Sequence, residues 1–517
     1  MKFIQGQNRA QTSIFPISLE ESIDQDNEVR FIDLFVENIT LKDFGFKMQF
    51  IENGRPAYHP ADLLKLYIYG YMNKVRSSRD LEKECKRNIE VMWLLNCLKP
   101  DHNTISNFRR DNPKAIKKVF RATVEIAKNF DLIGGKLIAG DSTKLRAQNS
   151  KKNNFNQKKI DRHLNYIERK LIEHENALAD SDGDNKKAIQ YEIDKHNKRK
   201  GQYKNLEKKL KDSGKQQIST SDPESRQMIT RNNITEVAYN LQTSVDSKYN
   251  IPIDYKVTNN NDSKAMGNML QRAKSILRHN QFTALYDKGY HTGSEFKIAD
   301  DLGVDVMVAI PTVAAQAPNP DYNSENFNYN KKEDCYTCPE GNLLTTTGKW
   351  HEAKTYRFKR YTTKLCKTCP VKHECSKAKY GKAIQRSEYQ EYINSNKERI
   401  ENNKEYYRQR QAIVEHPYGT LKRQWGFNYI LTKRYIKKAE ADVGLMFIAY
   451  NLRRIINILG VNVLQNYLKG VMVSIFVNIR HMRLKIVNFK LLGFSLISGQ
   501  LFSEGTLNGL YLIKYQQ

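Results

Sequence analysis

Two short apolar runs that each close on an aspartate set the strongest limit on the fold. GKLIAGDSTKLRA at 135–147 carries an apolar run ending at Asp141, and FTALYDKGYH at 282–291 carries another ending at Asp287, with a loop through Gly289. Between them EVAYNLQTSVDSKYNIPIDYKVT reads as two β-rich runs joined by the turn DSKYN, which predicts a hairpin. KAMGNMLQRAKSIL then has the spacing of an amphipathic helix, and GSEFKIADDLG leads by a further helix into the strand VDVMVAI. The order is strand with Asp, hairpin, helix, strand with Asp, helix, strand. An Asp after an apolar run is, taken alone, more often a turn former than a ligand.

A third carboxylate changes that balance. Residues 407–425, YRQRQAIVEHPYGTLKRQW, form a basic, helix-prone segment with a single acid, Glu415, among Ile413, Val414 and Leu421. Such a Glu in isolation reads as half of an i,i+4 ion pair on a solvated face. Three carboxylates from two strands and a helix also form the oxygen-rich set that hard divalent cations prefer. Two such cations can clamp the attacking and leaving oxygens of a phosphodiester. Lys422, seven positions after Glu415, falls about two helical turns later on the same face and can hold a phosphate.

Charge points to the same class of partner. Lys and Arg number 85 against 57 Asp and Glu, a net +28 spread along 517 residues. That favours a polyanion, nucleic acid first, over a merely soluble basic protein. The length calls for two to four domains. The start MKFIQGQNRAQTS lacks the apolar segment of a signal peptide, and apolar runs such as Val471–Val477 are cut short by Asn478 and Arg480, so no membrane partner is expected. Seven cysteines over this length do not make a disulfide framework, which favours a reducing cytoplasm.

In chain order, residues 1–134 read as a helical unit. PADLLKLYIYGYMNKV suits a buried helix, and Ser77 with Asp80 suggests a capping box for the helix DLEKECKRNIEVMWLL. TISNFRRDN follows, bearing Arg109 and Arg110. Short helices ending in a basic one resemble a helix-turn-helix that puts its last helix in a major groove; a helical bundle with a solvated basic edge reads almost as well. Residues 148–220 place Ile160, Leu164, Ile167, Leu171 and Leu178, then Ile189, Ile193, Tyr203, Leu206 and Leu210, at heptad-like spacing about the turn SDGD. This predicts a helical hairpin inserted between strands, an arm for structure or interaction. A Cys-rich insertion, about 314–400, holds Cys335, Cys338, Cys366, Cys369 and Cys375. Two CxxC pairs favour a structural zinc, with one thiol to spare; reduced, metal-free thiols are the alternative. Cys85 and Cys97 read as core. KKAEADVGLMFIAYNLRRIINILG is a strongly apolar helix expected to pack on the sheet, and residues 461–517 form a tail of no assigned role.

With these segments in hand, the chain from His59 to Gly460 resembles the DDE transposases of bacterial insertion sequences. It is most similar to the branch with a helical N-terminal domain and a Cys-rich insertion before the catalytic Glu. The resemblance rests on HPADLLKLYIYGY, RSSRDLEKEC, PDHNTISNFRR, GDSTKLRAQNS, LYDKGYH, CPEG with CKTCP, EHPYGTLKRQWGF and GLMFIAYNLRR. It implies an α/β, ribonuclease-H-like catalytic core over 135–460, which the strand order also suggests, preceded by an all-α helix-turn-helix-like domain. It implies that Asp141, Asp287 and Glu415 are the triad for Mg²⁺ or Mn²⁺. Tyr407, Arg410, Glu415 and Lys422 follow the family signature, except that four residues instead of three separate Arg410 from Glu415. Among the thiols it favours Cys338, Cys366, Cys369 and Cys375 as a zinc set, with Cys335 spare. The implied partners are double-stranded DNA, as terminal inverted repeats and target, and a second copy of the chain in a dimer or higher oligomer. The implied place is a bacterial cytoplasm, at the nucleoid. A catalytically silent DNA-binding relative, or a nuclease on the same fold that cuts without joining, would share these features.

Overall fold

The computed structural model describes residues 18–48, 56–230, 233–312 and 317–471, so the expected tail falls outside them beyond Val471. The N-terminal helices are α1 (Glu28–Glu37), α2 (Leu41–Phe44), α3 (Pro60–Met72), α4 (Ser78–Arg87), α5 (Ile89–Leu94), α6 (His102–Asp111) and α7 (Pro113–Asn129). Helix α3 starts where His59 accepts from the Ala61 N–H and Pro60 occupies the first turn, where a missing N–H costs nothing. It is buried almost all round, as its dense apolar run predicts.

Three local expectations fail here. The helix expected over 80–95 is two helices, because the Asn88 side chain accepts from the N–H groups of Glu90 and Val91 and starts α5. The Ser77 side chain makes no capping bond, and Asp80 instead pairs with Lys83. Cys97, expected in the core, is exposed just past α5 at a positive φ of 60°, whereas Cys85 is buried.

The sheet is built from β1 (Leu137–Arg146), then, after β2 (Asn154–Phe155), the hairpin helices α8 (Gln157–Ala179) and α9 (Asp184–Asp212), and β3 (Ile218–Ser219), from β4 (Arg226–Ile229), β5 (Thr235–Asp246) and β6 (Ile251–Thr258). Helix α10 (Met266–Leu277), β7 (Thr283–Tyr286), α11 (Gly293–Asp301) and β8 (Asp305–Val308) follow. The strands run β6–β5–β1–β7–β8, with β4 also on β5. Strands β6, β5 and β1 are antiparallel, while β1, β7 and β8 are parallel. Each parallel step crosses over through a helix or longer excursion, as parallel neighbours require.

The Cys-rich region forms a second sheet, of β9 (Asn328–Asn330), β10 (Cys335–Thr337), β11 (Leu343–Glu352), β12 (Arg357–Thr362) and β13 (Ile384–Ser387), with the one-turn helix α12 (Lys372–Cys375) beside it. Helices α13 (Gln390–Asn402), α14 (Lys404–Gly419) and α15 (Ile436–Leu459) complete the described fold.

Helix α15 joins the N-terminal helices to the sheet. One continuous hydrophobic cluster runs from Phe31 and Tyr67 through Phe120 and Tyr255 to Phe447. The expected boundary at 134 is therefore no break in the core. Gly444 lets this crossing happen, since a Cβ there would stand 2.5 Å from the Tyr255 hydroxyl and 2.8 Å from Ile116. At the same crossing Asp442, with no exposed surface, accepts from Arg76 at 2.9 Å, from the Leu431 N–H at 2.7 Å and from the Tyr71 hydroxyl. Arg109 donates to that tyrosine oxygen at 2.8 Å and stands 3.6 Å from Asp442. Arg109 is only 5% exposed, which corrects the expectation that it faces DNA: its charge closes a buried network instead. Arg110 is exposed and pairs with Asp111 at 2.6 Å. Among the described residues no single helix is long and apolar enough to cross a membrane.

Candidate active site

Register brings the two aspartates together. Ala139 of β1 lies beside Leu285 of β7, and β7 ends one residue later at Tyr286. Continuing that parallel register sets Asp141 level with Asp287, and period-two alternation points both to the face that carries Leu137, Ala139 and Leu285. Asp141 is not at a strand end as expected. Strand β1 runs on to Arg146, and it is the neighbouring β7 that stops, opening the flank of Asp141. Asp287 caps the short turn Lys288–Tyr290 by accepting from the Gly289 N–H at 2.9 Å. On the opposite face Gly140 lies under the Tyr286 ring, where a Cβ would come within 2.0 Å of a ring carbon.

Helix α14 lies across the aspartate face. Ile413 and Val414 are buried against Leu137, Ala139, Val245, Leu285 and Met307. The Tyr407 hydroxyl donates to the Tyr286 carbonyl at 2.8 Å and the Tyr418 hydroxyl to the Asp141 carbonyl at 3.1 Å, so both ends of the helix are tied to the two Asp-bearing strands. Arg410 stands 3.4 Å from the Asp141 carboxylate. Glu415 follows Val414 on this helix, is exposed, and accepts from Gln411 at 2.9 Å. Among the described residues no three His, Cys, Asp or Glu side chains stand close enough to hold a metal ion together. The structure thus pairs Asp141 with Asp287 and lays the Glu415 helix over them, without closing a three-carboxylate cage.

Lys422 does not continue the α-helical face as the spacing predicts. Pro417 sits inside α14, which passes into a π-helical turn over Thr420–Gln424. Lys422 nonetheless reaches β1, donating to Thr143 Oγ1 at 2.8 Å and to the Lys144 carbonyl at 3.3 Å. Arg410, Tyr407 and Lys422 therefore all point toward the strands that carry the aspartates.

Burial pushes the Asp141 carboxyl up to about 6; Arg410 and the Ser142 N–H oppose the rise, while Asp287 and Asp262 add to it. Asp262 is a residue that nothing in the sequence singles out. It accepts from Ser142 Oγ at 2.8 Å, from Lys144 at 3.3 Å and from Asn240 at 2.6 Å, bracing β1 on either side of Thr143. Its only mark in the chain is a polar loop, NNNDS, with no distinctive spacing. His416 bonds the Tyr450 hydroxyl through Nδ1 at 2.7 Å.

Burial pushes the Cys375 thiol up and Lys382 opposes it, with Cys366, Cys338 and Cys369 adding to the rise. Among the described residues these four thiols do not close into a set that could hold a metal ion. Gly381, at φ +88°, makes room for Cys366, since a Cβ there would come within 2.2 Å of the Cys366 Cβ. Cys335 is buried apart, with Glu333 as its thiol's partner at 3.6 Å.

Residues 17–111 match the family described as a transposase domain (DUF772), and residues 337–456 match the family described as a transposase DDE domain. These two matches are consistent with a DDE transposase. The DDE match takes in Cys338, Cys366, Cys369 and Cys375, α14 with Glu415, and most of α15; Asp141 and Asp287 precede it in the chain. No curated protein matches the chain at a significant level.

Proposed function

We propose that the chain is an insertion-sequence transposase that binds the ends of its element and carries out metal-dependent DNA cleavage and strand transfer. The observation that carries this reading is the register setting Asp141 beside Asp287 under a helix bearing Glu415. The strand order β6–β5–β1–β7–β8, with three antiparallel and then parallel neighbours, supports a ribonuclease-H-like core. A carboxyl buried beside a second carboxylate, and only partly offset by Arg410, fits a divalent cation, whose charge would relieve both.

Asp141 and Asp287 would hold Mg²⁺ or Mn²⁺, with Glu415 brought to them by α14. When bound, such ions polarise water or a 3′-hydroxyl and stabilise the leaving oxygen. The chain's own cations do the rest. Arg410 neutralises Asp141, and Lys422, anchored on Thr143, presents an ammonium beside the aspartate strand for a DNA phosphate. Tyr407 holds α14 to the carbonyl that precedes Asp287. Cys338, Cys366, Cys369 and Cys375 would hold a structural zinc beside the second sheet only by drawing closer together than they stand here. Bringing two element ends together calls for at least two copies of the chain.

The test is cleavage of a labelled duplex bearing the source element's end, in Mg²⁺ or Mn²⁺, by the intact protein and by Glu415→Gln. Release of a 3′-hydroxyl by the intact protein alone supports the triad, and joining of that end to a second duplex separates a transposase from a nuclease. End binding without cleavage by either protein marks a silent relative.

A further inference from the structure

The hairpin arm is long and packs chiefly on itself. Helices α8 and α9 close over two small clusters, Phe155–Ile160–Leu210 near the root and Ile167–Leu171–Ile193 farther out. At 29 residues α9 extends for about 44 Å, somewhat more than one turn of duplex DNA. The root is closed by a two-stranded sheet of its own, β2 with β3, and by Asn149, which follows β1 and donates to Ser219 Oγ at 2.9 Å and to Ser225 Oγ, just ahead of β4, at 2.8 Å. Strand β1, running from Asp141 to Arg146, leads directly into this root. The root half of the arm is thus the part nearest the aspartates.

Charge along the arm is divided by position. Residues 195–215 hold nine Lys and Arg against two acids, whereas 173–184, at the tip, hold five acids and no Lys or Arg. A solvated helix face generally interleaves the two signs and pairs them at i,i+4. Some root lysines do pair, Lys200 with Glu168 and Lys211 with Glu207. Lys198, Lys204, Lys208 and Lys209 are exposed, and none forms an ion pair with a described residue. The surplus sits on a rigid element, beside Gln202, Tyr203 and Asn205, which line a groove at the root with Phe155 and Thr220.

We propose that the root half of the α8–α9 arm is a duplex-DNA surface that holds the phosphate backbone next to the cleavage site. It does so by charge and without reading sequence, while the acidic tip keeps the far end of the arm off the DNA. This rests on the transposase reading above and adds to it the segment that grips the duplex.

The test compares the full chain with the variant Lys198→Gln, Lys204→Gln, Lys208→Gln, Lys209→Gln. Affinity for a duplex of about 40 base pairs is measured as a function of salt, with melting and sedimentation run alongside. The expected result is unchanged melting, at least tenfold weaker binding at moderate salt, and a log K against log [salt] slope shallower by about 3 to 4, roughly 0.9 for each phosphate no longer neutralised. Equal affinity and slope in the two proteins would overturn the proposal. So would unchanged DNA binding with an altered sedimentation coefficient, which would make the arm an interface between copies. The transposase reading fails separately, if the intact protein binds duplex but cuts none of it; the arm is then still judged by its slope. Absence of all duplex binding by the intact protein would overturn both.

Discussion

Arg410 of α14 stands 3.4 Å from the carboxylate of Asp141 on β1. Arg410 faces the strand that carries Asp141 and offsets a charge that burial disfavours. This arrangement fixes the sign of a pH effect. Asp141 titrates at about 6 in the folded chain and near the ordinary aspartate value of 3.8 when unfolded. Between those values the folded state holds a proton that the unfolded state has released, so stability falls as pH rises from about 4 to about 6. The loss is at most about 3 kcal/mol. Melting followed from pH 4 to pH 7 without divalent ions should show this decline in the intact protein and a flatter profile in Asp141→Asn. Parallel profiles would refute it.

Added Mg²⁺ or Mn²⁺ should reverse that decline. An ion bound by the folded chain alone raises stability by about 2.7 kcal/mol at a hundred times its Kd. Melting of the intact protein at pH 7 should shift upward with Mn²⁺, and Asp141→Asn or Asp287→Asn should lose most of the shift. Asp287→Ala should also abolish cleavage of end DNA while leaving end binding in a mobility-shift assay largely intact; full activity in that variant would remove Asp287 from the site.

Asp442 should be among the most sensitive positions for folding. Burial pushes its carboxyl up, but Arg76 and Arg109 outweigh that and hold it below the usual range. Replacing it by Ala strands two buried guanidinium groups and should cost about 3–5 kcal/mol. Urea unfolding would measure this, and a loss under about 1 kcal/mol would mean that water reaches the network.

The thiol group predicts a simple metal count. Protein purified without chelator should carry about one zinc per chain, lost in Cys375→Ser or Cys369→Ser and kept in Cys335→Ser. Elemental analysis decides it, and zinc retained in Cys375→Ser would break the assignment.

Much of the fold is legible in the chain itself. Apolar runs, turns and helical spacing mark β1, the β5–β6 hairpin, α10, β7, α11, β8 and the arm, because each is stabilised by a periodicity written locally. Cys335 is separable from the other four in sequence only by resemblance, and the structure sets it apart with Glu333. What the chain does not announce locally is whatever depends on partners hundreds of residues away. Arg109 and Arg110 look alike in sequence, yet one closes on Asp442 and the other faces water. Asn88 could continue a helix or start a new one, and its side chain settles the matter by capping α5.

The sequence by itself determined which residues could bear the chemistry: an acid after each of two apolar runs and an acid on a basic helix. Tertiary structure alone decided which of them meet. Strand register sets Asp141 level with Asp287, Pro417 and the π turn reroute Lys422 onto Thr143, and Asp262 braces β1 from a loop far along the chain. The physical reason is that carboxylates and guanidinium groups act over a few ångströms, so their roles are set by neighbours in space, while the periodic burial that makes strands and helices is set by neighbours in sequence.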